Sequence, residues 1–191
     1  ISLISRLCHI YCLTKMPAKN TILPKTLHEL NNWLLVWSGL GILVSCYALY
    51  IETKFEMNPE YLAACDWNSI ISCTRVLDSR FASGFGLVAP ILGEESILNQ
   101  KNALYGLIVY FFLSIQSRFS SHSSIRLNLF IVYGITIGSI YLFIILLHLH
   151  AICLVCYCTY FVNGALLVNA RRRMFTVDQM ISSEKRNRKT E

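Results

Sequence analysis

Charge along this chain is segregated rather than dispersed. Twenty-two residues between Glu29 and Glu52, and 44 between Arg126 and Arg171, include no Asp, Glu, Lys or Arg. Inside the first gap, WLLVWSGLGILVSCYALYI (33–51) would measure about 28 Å as a helix, close to the roughly 30 Å of a bilayer's hydrocarbon core. The second gap would measure about 66 Å as one straight helix, twice what a crossing needs. It therefore reads as a hairpin of two spans, 127–147 and 152–170, folded at the polar HLHA near residue 148. A shorter apolar run, ALYGLIVYFFLSIQS (103–117), lies between Lys101 and Arg118, and the basic, serine-rich RFSSHSSIR after it reads as a cytoplasmic turn. The pattern predicts an all-α membrane protein, a four-transmembrane-helix bundle, with residues 52–102 as a long loop between spans one and two. Ser38, Gly39, Gly41 and Ser45 suit close helix contact in span one. Cys46 among them reads as a buried packing thiol.

Composition agrees: 54% of residues are hydrophobic and 15% charged, where soluble domains carry roughly 25% charged residues. The net charge of +6 would suit nucleic acid, but its placement argues against that partner. Residues 52–102 hold four bases and seven acids, and the rest of the chain thirteen bases and four acids. Basic flanks and one acidic loop follow the positive-inside pattern. This places residues 1–32 and the basic 173–191 tail in the cytoplasm, around a membrane domain over 33–172. The chain opens on Ile1, with its first methionine at Met16. Residues 1–15 read as a leader or fragment, Cys8 and Cys12 carry no weight, and the first apolar segment serves as a retained signal anchor. By parity, loop 52–102 and the hairpin tip near 148 emerge together on the far side. That compartment is expected to be the endoplasmic reticulum lumen, where disulfides persist; the terminal RKTE offers a weak retrieval signal for the same organelle.

Two pairs of thiols then share one side of the membrane: Cys65 and Cys73 in CDWNSIISC, and Cys153 and Cys156 in CLVC at the mouth of span four. Three readings compete. Four thiolates could bind zinc, but an eight-residue spacing and an oxidising lumen disfavour it. Tyr157 follows CLVC where haem attachment needs histidine, and His148 and His150 suit an interfacial turn. Two structural disulfides are the second reading, although a link three residues apart constrains the unfolded chain little. The third is redox exchange. A helix N-terminus favours thiolate, and i, i+3 spacing puts both sulfurs on one face. Tyr160 lies on that face one turn deeper, while Cys158 faces elsewhere as packing. The arrangement suits an apolar substrate with a reducible polar head, such as a quinone. At the top of span two, Asn99 and Asn102 stand above Tyr105 and Tyr110. An amide at that depth needs a partner: it caps the helix or bonds a ligand carbonyl. SGFGLVAPILG (83–93) reads as a loop lidding a cavity or as an amphipathic surface helix.

CDWNSIISC, SGFGLV, SILNQKN and CLVC followed by TY, in this order, closely resemble the vitamin K epoxide reductase family over about residues 33–172. The resemblance implies reduction of vitamin K 2,3-epoxide to the quinone and hydroquinone, in support of glutamate gamma-carboxylation. It further implies that Cys156 attacks substrate and Cys153 resolves the adduct, leaving a Cys153–Cys156 disulfide. Cys73 would reduce that bond through a transient Cys73–Cys153 link, and Cys65, paired with Cys73 as Cys65–Cys73, would exchange with a luminal thioredoxin-like or protein disulfide isomerase-like donor. Asn102 and Tyr160 would hydrogen-bond the naphthoquinone, with Tyr105, Leu77 and Phe81 completing the pocket. Vitamin K is substrate rather than resident cofactor, electrons come from a dithiol, coumarin-type inhibitors are expected ligands, and no metal is implied. Leu77 and Tyr105 stand where phenylalanines are expected and Phe81 where a tryptophan is; the segment before CLVC is one residue shorter. These departures bear on pocket shape, on epoxide-versus-quinone preference and on coumarin sensitivity. The same thiols would serve a quinone-linked catalyst of disulfide formation, and a non-catalytic four-span scaffold with a stapled loop is the alternative from another class.

Overall fold

The computed structural model describes residues 22–58, 60–67, 71–77 and 79–190. The 1–15 segment with Cys8 and Cys12, and the last residue of RKTE, lie outside them. Four long helices make up most of the described residues: α1 (Ile22–Met57), α4 (Asn102–Gln116), α5 (His122–His148) and α6 (Leu154–Thr190), with short α2 (Cys73–Leu77) and α3 (Val88–Leu92) in the α1–α4 connection. No strand occurs among the described residues; two isolated bridges, Ile71 with Ile152 and Ser83 with Lys101, tie the connection to the bundle.

Two helices, Lys25–Met57 within α1 and His122–His148, are long and apolar enough to cross a membrane, and the apolar α4 is shorter. Leu43, Phe130 and Phe161 are each at least 66% exposed on the outer faces. Apolar side chains turned outward on helix after helix suit lipid rather than water. Helix ends follow local chemistry. The Ser121 hydroxyl accepts the Ser124 N–H and starts α5 in the manner of an N-cap. Between α5 and α6 the chain turns through His150 at φ +49°, so the uncharged stretch does break, a few residues past its midpoint. α6 continues well beyond Arg171 because its second half has a core of its own: Val177 and Met180 pack against Leu27 and Ile125.

α1 packs along both α4 and α6, and α5 along α6, whereas α4 and α5 barely touch. Close approach on the α1–α4 side depends on small residues. A Cβ on Gly41 would fall 2.6 Å from the Tyr110 ring, and one on Gly106 2.9 Å from Ser45 Oγ. Ser38 and Ser45 are buried there. Cys46 departs from the sequence expectation, being exposed on the outer face. In a chain apolar all round, hydropathy does not mark which face meets protein, and this thiol lies on the other one.

Candidate active site

Where α4 and α5 part, the four helices enclose an apolar cavity of about 420 Å³, within the range of small-molecule sites. α5 leaves room for it: Gly134 and Gly138 line the space, and a Cβ on either would meet nothing within 4 Å. Cys156 and Tyr160 of α6 face it, as do Asn102 and Tyr105 of α4 and Leu77 and Phe81 of the connection. Tyr160 is fixed edge-on against Phe143, with ring centroids 5.8 Å apart.

The thiols gather at one end of this cavity. Cys65 and Cys73 are joined by a disulfide, with Cα atoms 5.9 Å apart. Ser72 N–H donates to the Ile152 carbonyl at 3.0 Å, which lays the backbone before Cys73 alongside the backbone before Cys153. Cys73 and Cys153 are fully buried in one apolar cluster, with Cys156 packed against it. Cys153 and Cys156 are unbonded thiols. Cys153 sits immediately before α6, and its Sγ accepts the Cys156 N–H at 3.3 Å, so the first helical turn orients the pair. Asp66 organises the loop disulfide by accepting from the Ala63 N–H (2.8 Å), the Thr74 N–H (3.1 Å) and the Thr74 hydroxyl. Burial alone would push its carboxyl up; the Thr74 and Ala63 donors outweigh that and hold it below the ordinary aspartate range. Cys158, like Cys46, is exposed on the outer surface rather than packed inside. His148 and His150 are exposed at the α5–α6 turn.

A lid over the cavity is built around Phe85, which holds φ +57° between Gly84 (+53°) and Gly86 (+69°). A non-glycine residue is held there only when its surroundings determine it. Asn102 Oδ1 accepts the Phe85 N–H at 2.8 Å, and Tyr141 of α5 donates its hydroxyl to the Phe85 carbonyl at 3.2 Å. The Phe85 ring stacks on Tyr105 at 5.7 Å. Asn102 Nδ2 donates to the Phe81 carbonyl at 2.6 Å, and Tyr105 donates to the Leu98 carbonyl at 2.5 Å. The Asn102 amide therefore neither caps α4 nor stands clear of the protein: it ties the lid to the helix. Asn99 donates to the Glu94 carbonyl at 3.0 Å. The segment 83–93 is a single turn of 3-10 helix followed by α3, not one continuous surface helix.

Sequence reasoning named Tyr110 but not its partners Asn163 and Ser139, and it passed over Tyr141 and Glu52. Tyr110 donates to Asn163 Oδ1, and Asn163 Nδ2 donates to Ser139 Oγ, both at 2.7 Å, linking α4, α6 and α5 along the cavity. Tyr141 clamps the lid. Glu52, 5% exposed, lines the cavity from α1. Asn163 lies seven residues beyond Cys156, two turns along the same face, and that spacing is the one signal that pointed to it.

The family model of the vitamin K epoxide reductase family matches residues 32–170. Vitamin K epoxide reductase complex subunit 1 of Rattus norvegicus is 38% identical over 130 residues, covering 67% of this chain and 80% of the relative. The Mus musculus protein of the same name is 37% identical over the same coverage. The matched residues contain the cavity, both thiol pairs and the lid, and the chain belongs to the vitamin K epoxide reductase family of oxidoreductases.

Proposed function

We propose that this chain spans the endoplasmic reticulum membrane four times and reduces vitamin K at the expense of luminal thiols. The observation that carries the reading is the joining of residues 71–73 to 152–153: it sets a disulfide-bonded pair against an unbonded pair whose second member, Cys156, opens onto an apolar cavity. Cys156 thiolate attacks the substrate, and Cys153 resolves the adduct as the Cys153–Cys156 disulfide forms. Two thiols lose two electrons; the epoxide oxygen leaves as water and gives the quinone, or the quinone takes two electrons and two protons and gives the hydroquinone. Cys73 then exchanges through a Cys73–Cys153 link, and Cys65 accepts electrons from a thioredoxin-like protein, each step an ordinary thiolate attack on a disulfide. Tyr160 donates a hydrogen bond to a substrate oxygen; Asn102 shapes the site by holding the lid and offers its remaining N–H. Leu77, Phe81 and Tyr105 wall the ring, and a coumarin would compete for the same space.

The test is turnover of purified protein with dithiothreitol, on the epoxide and on the quinone separately. Consumption of both supports the reading. Consumption of quinone with epoxide untouched would instead favour a catalyst of disulfide formation that uses quinone as electron sink, and consumption of neither would favour a scaffold.

A further inference from the structure

Glu52 is the one acid on the cavity wall among the described residues. It is 5% exposed, and neither carboxylate oxygen has a hydrogen-bond partner. An ionised carboxylate in such a place, without donors, is costly to maintain, and a protonated one costs far less. Glu52 also borders a second, more polar crevice of about 230 Å³, walled on its far side by Glu56, Arg80 and Lys101. Neither cation there is hydrogen-bonded to Glu52. Lys101 Nζ lies 3.0 Å from Glu56, and Arg80 lies 4.8 Å over the Phe81 ring. The other titratable groups lining the cavity are Cys156, Tyr160, Tyr105 and Tyr110. One carboxyl thus borders both an apolar chamber holding a thiol and a polar crevice.

We propose that Glu52 is the proton relay of the reduction, passing protons between the polar crevice, the Cys156 thiol and the substrate oxygen. The inference rests on the quinone-reductase reading above. Each turnover moves two electrons from two thiols to substrate, and two protons must follow to the quinone oxygens or to the departing epoxide oxygen. Glu52 gives one proton to the substrate oxygen and regains one, from Cys156 as it becomes thiolate or from water in the crevice. It ends each cycle as it began, and no further reductant is required.

The test compares full-length wild-type protein with Glu52→Gln and Glu52→Asp, using dithiothreitol and vitamin K quinone across a pH series. Glu52→Gln keeps the shape and loses the proton. It should lower kcat at least tenfold, the lower end of typical acid–base contributions being about a hundredfold, with KM changed less than about threefold. One limb of the pH–rate profile should disappear with it. Glu52→Asp should recover part of the rate and keep that limb. Wild-type kcat and pH profile in Glu52→Gln would overturn the relay while leaving the function standing. So would equal losses in both variants with unchanged profiles, the mark of a merely structural role. Wild-type protein inert toward the quinone would overturn both.

Discussion

Two sides of this bundle use the same small residue to opposite effect. On the α1–α4 side, Gly41 and Gly106 are filled by their neighbours, the Tyr110 ring and the Ser45 hydroxyl, and the helices close. On α5, Gly134 and Gly138 face empty space, and the helices stay apart around a chamber. Farther along, at the end remote from the thiols, the interior is solid: Leu27, Ile125, Val177 and Met180 pack together, and Arg173 is wholly buried with its guanidinium donating to the Phe119 carbonyl at 3.2 Å. A glycine in an apolar helix is therefore ambiguous by itself. What decides is whether a side chain from another helix arrives to fill the place.

The contrast between an open chamber and a closed bundle has consequences of decreasing size. Cys156→Ala should abolish turnover even with dithiothreitol as reductant, measured as loss of hydroquinone formation while thermal stability is kept. Residual turnover of more than a few per cent would remove Cys156 from the attacking role. Next come the glycines. Gly41→Leu forces a side chain into the Tyr110 ring and should destabilise the protein by about 2 kcal/mol or more, read as a drop in Tm. Gly138→Leu enters open space, so Tm should hold while KM for the quinone rises at least tenfold. Similar Tm losses in both would erase the distinction between filled and empty glycines. Tyr160→Phe and Tyr110→Phe each remove one hydroxyl, worth about 1 kcal/mol per hydrogen bond. The first should appear in turnover or KM, and the second, which breaks the Asn163 link, chiefly in stability.

The smallest effect is one of pH. The Asp66 carboxyl is held below the ordinary aspartate range in the folded protein, so its contribution is fully present above the unfolded value and fades as pH falls through the folded one. Asp66→Asn should remove that dependence: in acid the wild-type loop loosens, seen as faster proteolysis between 60 and 80, while the variant shows no such change.

Much of this architecture is legible in the sequence because membranes impose coarse rules. Charge-free runs mark α1, α5 and the start of α6, and the doubled length of the second run requires the turn that His150 makes. The thiol pairs stand out because cysteines at that density have few uses. Facing is not legible. With apolar residues on every side, no periodicity separates Cys46, exposed on the surface, from Ser45 beside it, which is buried. Nor does the sequence show partners far apart in the chain. The 71–152 bridge, the Tyr110–Asn163–Ser139 chain and the Tyr141 clamp on Phe85 each join residues that only the assembled bundle brings together. Asn102 shows the cost: its spacing marks it as important, and its tie to the lid emerges only once the loop is folded back over α4.

Trapping tests the thiol relay most directly. In a Cys65→Ala, Cys156→Ala double variant in native membranes, Cys73 and Cys153 lose their alternative partners. Mild oxidation followed by alkylation and peptide mass spectrometry should recover a Cys73–Cys153 disulfide in most molecules. Recovery of both as separately alkylated thiols, or as links to Cys46 or Cys158, would contradict electron transfer between the loop and α6.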